Sequence, residues 1–294
     1  MSARRRALSL PAFLIMASVF TASSAYARQD RLVRDIEYGR VNDVSLRMDA
    51  SIPEGVRSAP AVIIVHGGAW VMGDRRIDVE PLFKPLADAG FAWFSISYRF
   101  ATDVTQFGGA INDVQQAVRF VKSHAAEYHV DPDRIALLGE SAGGQLAAMA
   151  ALRADASESV KAVVALYAPS DLVTLLKTSN YVPSRIRNSV QGTPWETLIL
   201  AGLAQFSPIE NVRRDMPPFL FIHGTADPLV PFQQSREMCE RMKKAGASCE
   251  VYPVEGGGHG IRWWESSPRL SAAYKSKMVE WLHQELGTPK QMVS

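Results

Sequence analysis

The stretch LLGESAGGQL, residues 137–146, contains the pattern G-x-S-x-G and sets Ser141 between Gly139 and Gly143. An apolar run predicts a strand directly before it, and an alanine-rich run predicts a helix directly after it. A serine on a sharp strand-to-helix turn exposes its hydroxyl at the edge of a sheet, and flanking glycines keep that turn free of side chains. The pattern alone is weak, but this context makes Ser141 a candidate nucleophile.

A candidate base and a candidate acid follow later in the chain. A serine hydroxyl becomes a good nucleophile only when a neighbouring base accepts its proton and a third group orients that base. His259 lies in a glycine-rich loop, VEGGGHGIRWW at 254–264, after the last predicted strand. Asp227 follows the predicted strand of FLFIHGTADPLVP and stands directly before Pro228. These positions predict that Ser141 is the nucleophile, Asp227 the acid and His259 the base.

Both partner assignments have alternatives. His259 could be a surface histidine in a flexible loop, and Asp227 could serve only its Asp-Pro turn. Asp171, in YAPSDL, is a competing acid, since it also lies between Ser141 and His259 in the chain. A leucine-rich stretch follows Asp171, however, and an aspartate in that position can simply cap a helix. We therefore favour Asp227.

Backbone donors for an oxyanion are expected near HGGAW, residues 66–70. Such donors must be in place before the reaction, and they come from the residue after the nucleophile and from a glycine-rich loop after a strand. We expect them to be the N–H groups of Gly68, Ala69 and Ala142, with Trp70 as an alternative donor. His66 ends the preceding strand and is interpreted as a histidine that braces the loop, not as a proton carrier.

Strands and helices alternate along most of the chain. Residues 35–53 predict an antiparallel pair of strands around the Asn42-Asp43 turn. Further strands are predicted at 61–65, 92–97, 135–138, 160–169, 217–224 and 248–256, and helices at 81–90, 109–128, directly after Ser141, at 232–245 and at 268–286. This alternation predicts one α/β domain at 28–294, with a mainly parallel central sheet and helices on both faces.

The stretch from 171 to about 217 breaks the alternation. It is rich in Ser, Thr, Pro and Arg, and we interpret it as a small lid or cap insertion over the edge of the sheet. Aromatic residues in or near the expected pocket are Tyr181, Trp195, Phe206, Trp263 and Trp264. They could stack on a sugar or an aryl acid, or they could simply pack the lid.

The first 27 residues have the pattern of a signal peptide. Three arginines precede an apolar run at 7–20, and Ala25 and Ala27 fit the −3 and −1 positions of a cleavage site. A retained membrane anchor is disfavoured, because Ser9 and Pro11 interrupt the run and a spanning helix needs ~20 residues. The arginines also permit a twin-arginine export signal. We expect cleavage after Ala27 and a periplasmic or secreted protein.

The composition and net charge of the chain indicate which kinds of binding partner to expect. The chain has 294 residues, of which 47% are hydrophobic and 21% charged, an ordinary globular balance. Removing 1–27 takes away three arginines and no acid, so Lys plus Arg falls from 32 to 29 against 30 Asp plus Glu, and the net charge moves from +2 to −1. Nucleic-acid binding is not expected. Cys239 and Cys249 could pair in an oxidising compartment or remain buried thiols.

With HGGAW, GESAGG, HGTADPLVP and GGGHG in this order, the chain resembles the α/β-hydrolase superfamily, specifically hormone-sensitive-lipase-like esterases and carbohydrate acetyl/feruloyl esterases of the BD-FAE type. The resemblance covers about residues 35–286. It implies an α/β-hydrolase fold, a catalytic triad of Ser141, Asp227 and His259, an acyl-enzyme intermediate and no metal or organic cofactor. Ala69 replaces the third glycine of the lipase pattern H-G-G-G, which keeps a backbone donor but can alter the local turn.

The motifs are less specific for the substrate. The resemblance implies a serine carboxylesterase, and the expected signal peptide makes it a secreted one. Short-chain acyl esters are the expected substrates, with acetyl or feruloyl esters of carbohydrates as a hypothesis. The expected partner is a small-molecule or carbohydrate ester, with no nucleic acid and no stable membrane insertion after the signal peptide is removed. The alternatives are an aryl-formamide hydrolase, whose substrate is usually intracellular, a small peptidase, which usually carries an extra gating domain, and a hydrolase-fold binding protein without catalysis.

Overall fold

A mostly parallel β-sheet forms the centre of the molecule. The structure is a computed structural model that describes residues 30–179, 187–188, 190–288 and 290–291. The signal peptide expected at 1–27 and the aromatic Tyr181 lie outside the described residues. The described strands are β1 (Asp30–Val41), β2 (Val44–Pro53), β3 (Val56–Val65), β4 (Ala92–Ile96), β5 (Val130–Glu140), β6 (Ala162–Leu166), β7 (Phe219–Gly224), β8 (Cys249–Val254) and β9 (Lys290–Gln291).

Eight of the described strands follow one path across the sheet, in the order β1-β2-β4-β3-β5-β6-β7-β8. The pairs β1-β2 and β2-β4 are antiparallel, and every later pair on this path is parallel. The short β9 pairs antiparallel with the start of β3. Parallel neighbours need crossover connections, which here contain helices. The predicted fold class, a mainly parallel sheet with helices on both faces, is confirmed.

Helices cover both faces of the sheet. Those of the described residues are α1 (Glu80–Asp88), α2 (Phe107–Ser123), α3 (Ala142–Leu152), α4 (Leu172–Thr178), α5 (Glu196–Gln205), α6 (Gln233–Ala245), α7 (Ile261–Glu265) and α8 (Pro268–Leu286). Ala61, Ile63 and Val65 of β3 join the core shared with α2, α3 and α6, whereas Val62 and Ile64 join the core shared with α1 and α8. Within the described ranges, no helix combines the length and the apolar character needed to cross a membrane.

The predicted hairpin at the start of the sheet is confirmed. Val41 pairs with Val44, and the two residues between them, Asn42 and Asp43, have φ values of 46° and 65°. Positive φ at both central positions gives the twist that an antiparallel pair requires, and Asn and Asp tolerate this conformation better than most residues do.

Several element boundaries differ from those predicted: β1 begins at Asp30 instead of residue 35, β3 begins at Val56 instead of residue 61, and two further differences concern α2 and β5. The helix expected to run to Tyr128 ends at Ser123, because hydrogen-bonded turns follow it, including Val130 N–H to Ala125 O at 2.9 Å. The strand expected from residue 135 already begins at Val130, because Val130 pairs with Ala59 of β3. The short helix α7, directly after the glycine-rich loop, is not predicted from the sequence pattern at all.

The described part of the insertion at 171–217 is mostly helical. It contains α4, α5 and a 3-10 turn at Pro208–Asn211. Two hydrogen bonds join the insertion to α3 and to the residue that follows it. Gln145 Nε2 donates to Phe206 O, and Arg153 Nη2 donates to Gln205 O, both at 2.7 Å. The insertion therefore packs against α3, the helix that follows Ser141, while its role as a lid or cap stays a prediction.

Cys239 of α6 and Cys249 of β8 form a disulfide. Between them, Gly246 ends α6 with a φ of 81°, a left-handed conformation that reverses the chain toward β8. The reversal brings the two Cα atoms to 5.6 Å, within the range that a disulfide spans. Of the two alternatives left open by the sequence, the structure shows the paired one.

Candidate active site

Ser141 lies on the turn that joins β5 to α3. Its φ of 50° and ψ of −121° are uncommon for a residue with a side chain and are typical of strained functional turns. A side chain does not fit on either flanking glycine, because a Cβ on Gly139 would lie 2.3 Å from Gly143 O and one on Gly143 would lie 2.2 Å from His66 O. The tight turn holds Ser141 at the carboxyl end of β5.

Gly143→Ala is expected to lower the free energy of unfolding by about 3 kcal/mol or more. The new methyl group would lie 2.3 and 2.2 Å from the carbonyl oxygens of Val65 and His66, and a side-chain rotation cannot move backbone atoms away. Chemical denaturation followed by circular dichroism measures the loss.

Gly108→Ala is the matched control, because Gly108 is likewise the second residue of a helix, α2. Its nearest neighbour, the Phe206 ring, would lie 3.9 Å from the new methyl group. This variant should equal the wild type or exceed its stability by up to ~1 kcal/mol. Equal stability of the Gly143 and Gly108 variants would contradict the steric account of the turn.

Ser141, His259 and Asp227 are connected by hydrogen bonds between their side chains. Ser141 Oγ is 2.9 Å from His259 Nε2, and His259 Nδ1 is 2.7 Å from Asp227 Oδ2. Asp227 follows β7 and His259 follows β8, so parallel strands deliver both side chains to the same edge of the sheet as Ser141. The Asp227 side chain is fully buried, and 14% of the His259 side chain is exposed. The arrangement can carry a proton from the hydroxyl to the imidazole.

The turn after β7 holds the Asp227 carboxylate. The N–H groups of Leu229 and Val230 donate to Oδ1 at 2.8 and 2.9 Å. Burial acts to raise the pKa of Asp227, but hydrogen bonds from His223, His259 and the backbone outweigh it and lower the pKa to about 2. The carboxylate is therefore ionised at neutral pH and only accepts hydrogen bonds. This places the proton of a neutral His259 on Nδ1 and leaves Nε2 as the acceptor for the serine hydroxyl.

Asp171, the competing acid, caps a helix. It is the N-cap residue of α4, and its Oδ1 accepts a hydrogen bond from Thr174 N at 2.9 Å. Its Oδ2 accepts from the Thr174 hydroxyl at 2.5 Å. Of the two aspartates that the sequence leaves in competition, Asp227 is the one that contacts the imidazole of His259.

The 66–70 loop borders the same cavity as Ser141. The φ values of Gly68, Ala69 and Trp70 are 107°, 51° and 66°, so the chain turns through three successive left-handed residues. Gly68 and Ala69 line the cavity together with Ser141. Ala142 begins α3, and the first N–H groups of a helix have no partner within it. The N–H groups of Gly68, Ala69 and Ala142 thus remain the candidate oxyanion donors.

Trp70 and His66, the two residues of this loop with large side chains, make packing contacts. Trp70 Nε1 donates to Gln145 Oε1 at 2.9 Å, and its side chain lines a separate apolar cavity. His66 is buried, its ring stacks on Tyr98 with 4.5 Å between ring centroids, and its Nδ1 is 2.7 Å from Gly67 O. Burial lowers the pKa of His66. Its position agrees with a bracing role.

Ser141 opens onto a cavity of about 480 Å³. Two apolar side chains at its rim are strongly exposed, Met72 at 62% and Trp263 at 50%. Arg262 also lines the cavity, donates to Ile77 O at 2.9 Å and approaches the carboxylate of Asp78 to 3.9 Å. The cavity therefore combines a largely apolar entrance with one guanidinium group.

The described aromatic residues that were singled out in the sequence lie in three different environments. Trp263 lines the cavity. Trp264 is fully buried, and its indole N–H donates to Gly258 O at 2.9 Å, so it packs the loop that carries His259. Phe206 is buried in the core, and Trp195 is 67% exposed on the surface of the insertion.

Several residues line the cavity without having been expected from the sequence, and two of them lie at strand ends of the central sheet. They are Glu140, directly before the nucleophile, and Tyr167, directly after β6. Both stand inside motifs that the sequence displays, GESAGG and YAPSDL, at the carboxyl ends of neighbouring strands. Their position at these strand ends was the available signal, because ligands of open α/β sheets bind there.

Comparison with known proteins agrees with this arrangement. The BD-FAE family model matches residues 48–242. The probable carboxylic ester hydrolase LipM of Mycobacterium tuberculosis is 32% identical over 74% of this chain and 52% of its own length. The esterase LipC of the same organism is 32% identical over 80% of this chain and 60% of its own length. The chain thus spans about half to three fifths of these curated relatives.

Solved structures match over nearly their whole length. A truncated carbohydrate esterase from gut microbiota superposes with a TM-score of 0.71 at 27% identity, over 87% of this chain and 96% of that chain. Thermogutta terrifontis esterase 2, in a form phosphorylated by paraoxon, superposes with a TM-score of 0.70 at 26% identity, over 88% of this chain and 95% of that chain. The family match, the strand order and the serine turn lead to one assignment: the chain belongs to the BD-FAE family of α/β-hydrolases.

Proposed function

We propose that the protein is a serine carboxylesterase in which Ser141 is the nucleophile, His259 the general base and acid, and Asp227 the residue that orients His259. The observation that carries this proposal is the continuous chain of hydrogen bonds from Ser141 Oγ through His259 to Asp227, at 2.9 and 2.7 Å. The relatives named as esterases support the same reaction class.

The first half of the reaction forms an acyl-enzyme. Ser141 Oγ attacks the ester carbonyl carbon while its proton moves to His259 Nε2, and the N–H groups of Gly68, Ala69 and Ala142 stabilise the negative charge that develops on the carbonyl oxygen. The ionised Asp227 stabilises the imidazolium. The tetrahedral intermediate then expels the alcohol, which takes the proton from Nε2, and the acyl group remains on Ser141.

The second half returns the free enzyme. A water molecule attacks the acyl carbonyl and gives one proton to His259 Nε2. Collapse of the second tetrahedral intermediate breaks the bond to Ser141 Oγ, which regains the proton, and releases the carboxylic acid. His259 thus accepts and returns a proton once in each half of the reaction.

We further propose short acyl groups as substrates, acetyl or feruloyl esters of carbohydrates in particular. The cavity of about 480 Å³ lies in the range of small-molecule sites. Trp263, half exposed at its rim, offers a flat apolar face of the kind that stacks on sugar or aryl rings. The name of the gut-microbiota neighbour, a carbohydrate esterase, supports the same class.

We also propose that the protein is exported from the cytoplasm. The signal-peptide pattern at 1–27 supports it. The disulfide between Cys239 and Cys249 supports it as well, because disulfides persist mainly in oxidising compartments. Expression with the natural leader, followed by N-terminal sequencing of the extracted protein, tests cleavage after Ala27.

A substrate profile of the protein starting at residue 28 tests the specificity. We expect kcat/KM for p-nitrophenyl acetate and butyrate to exceed that for long-chain esters by at least about tenfold, with release of acetate from acetylated xylan or of ferulate from methyl ferulate. Ser141→Ala protein is the blank for each substrate. Cleavage of long-chain esters alone would contradict the short-acyl proposal, and turnover of an aryl formamide without any ester would favour the formamidase alternative.

A further inference from the structure

Glu140 is a buried carboxyl group next to the nucleophile, and the proton transfers described above do not use it. It is the last residue of β5 and is 8% exposed. Its Oε1 accepts a hydrogen bond from Gly67 N at 3.0 Å. Gly67 belongs to the 66–70 loop, so this hydrogen bond joins that loop to the residue that directly precedes Ser141.

Tyr167 extends the connection to the other side of the site. It follows β6, is fully buried and has a φ of 39°, an uncommon conformation for an aromatic residue. Its hydroxyl donates to Glu140 Oε2 and accepts a hydrogen bond from Ile261 N at 2.9 Å. Its ring also meets the His259 ring edge to face, with centroids 4.8 Å apart. Tyr167 therefore contacts both the base and the chain directly after it.

The directions of these hydrogen bonds are determined by the backbone groups at the two ends. The N–H groups of Gly67 and Ile261 can only donate. The Tyr167 oxygen must therefore accept from Ile261, which leaves its proton for Glu140, and the Glu140 carboxylate accepts at both oxygens. Burial raises the pKa of Glu140 above the usual range, because it outweighs the hydrogen bonds from Tyr167 and Gly67, which act to lower the pKa. Every member of this chain of contacts has a partner.

We propose that Glu140 and Tyr167 form a positioning pair that holds the 66–70 loop and the His259 loop at a constant distance from Ser141. The pair joins the ends of three neighbouring strands, β3, β5 and β6, to the chain after β8. Each loop has anchors of its own, and this link connects the loop with the candidate oxyanion donors to the loop with the base through the residue that precedes Ser141. This inference rests on the proposed esterase function, because it explains how the loops of the same site are held in position around Ser141.

The pair acts through other residues, so its loss should change turnover more than substrate binding. Tyr167→Phe keeps the ring but removes the hydroxyl, which leaves Ile261 N–H and one Glu140 oxygen without their partner. We expect kcat to fall about 10- to 100-fold, since small displacements of reacting groups have effects of this size, while KM changes by less than about threefold. Glu140→Gln should act in the same direction, because an amide offers one acceptor oxygen to two donors.

Tyr274→Phe is the matched control. Tyr274 is also fully buried and its hydroxyl also donates to a glutamate, Glu265, at 2.7 Å. We expect this variant to lose thermal stability much as Tyr167→Phe does, with kcat within about twofold of the wild type. The comparison separates a loss of positioning from a general loss of a buried hydrogen bond.

Proton NMR gives a readout that does not depend on turnover. The downfield resonance of the His259 Nδ1 proton reports the hydrogen bond to Asp227, and we expect it to shift or broaden in Tyr167→Phe and Glu140→Gln but not in Tyr274→Phe. If wild-type protein cleaves no ester, the proposed function fails, and this spectrum still decides the positioning role.

The proposal is overturned if folded Tyr167→Phe protein keeps kcat within about twofold and an unchanged resonance. It is also overturned if activity in both tyrosine variants falls only in proportion to the folded fraction. Should Tyr167→Phe not fold, Glu140→Gln, which keeps size and shape, decides by the same measurements.

Discussion

Ser141→Ala is expected to reduce kcat for a short p-nitrophenyl ester by a factor of about 10³ to 10⁶. Alanine removes only the hydroxyl that lies 2.9 Å from His259 Nε2, and it keeps the Cβ that already fits the turn. The residual rate would come from the oxyanion donors and binding alone. Initial rates of both proteins, measured at saturating substrate, give the ratio.

Ser95→Ala controls for the loss of a buried serine hydroxyl elsewhere. Ser95 is fully buried on β4, and its hydroxyl donates to Arg75 O at 2.5 Å. This variant should keep kcat within about twofold if folded. Wild-type turnover that survives in Ser141→Ala protein of unchanged thermal stability would exclude Ser141 as the nucleophile.

Asp227→Asn should lower kcat by about 10⁴. An asparagine in this site has to present its NH₂ group to His259 Nδ1, because the N–H groups of Leu229 and Val230 already occupy the other position. The imidazole would then keep its proton on Nε2, where it cannot accept the proton of Ser141. Steady-state kinetics with the same p-nitrophenyl ester measure the effect.

Asp171→Asn is the matched control for this prediction, since it makes the same change at the acid that competes in chain order. Asp171 accepts hydrogen bonds from Thr174 at the start of α4, and asparagine caps helices about as well as aspartate. We expect kcat within about threefold of the wild type. The opposite pattern, an inactive Asp171 variant and an active Asp227 variant, would show that the acid is wrongly assigned.

The sequence predicts the central strands well because their apolar runs are short, buried and bounded by glycine or polar turns. It predicts the ends of elements less well. The start of β5 at Val130 depends on pairing with Ala59 of β3, more than 70 residues earlier in the chain, and no local pattern reports such a contact. The end of α2 at Ser123 depends on turns that bring the chain back to that strand.

The candidate site shows the same division. Gly139 and Gly143 mark the turn of Ser141 from the sequence alone, because the pattern requires both. Chain order permits either Asp227 or Asp171 as the acid. The leucine-rich stretch after Asp171 favours Asp227 already in the sequence, and the fold shows that Asp227 is the one in contact with His259. Contacts between strand ends, such as the link from Gly67 through Glu140 to Tyr167, arise only when the sheet has formed.

Covalent labelling tests the central claim most directly. Protein starting at residue 28 would be incubated with paraoxon, the reagent that phosphorylates the structurally similar Thermogutta terrifontis esterase 2, and then examined by intact-mass and peptide mass spectrometry. We predict one diethylphosphoryl group per chain, located on Ser141, loss of esterase activity in step with labelling, and no adduct in Ser141→Ala protein. An adduct on another residue, or full esterase activity in protein that carries the group on Ser141, would contradict the assignment of Ser141 as the nucleophile.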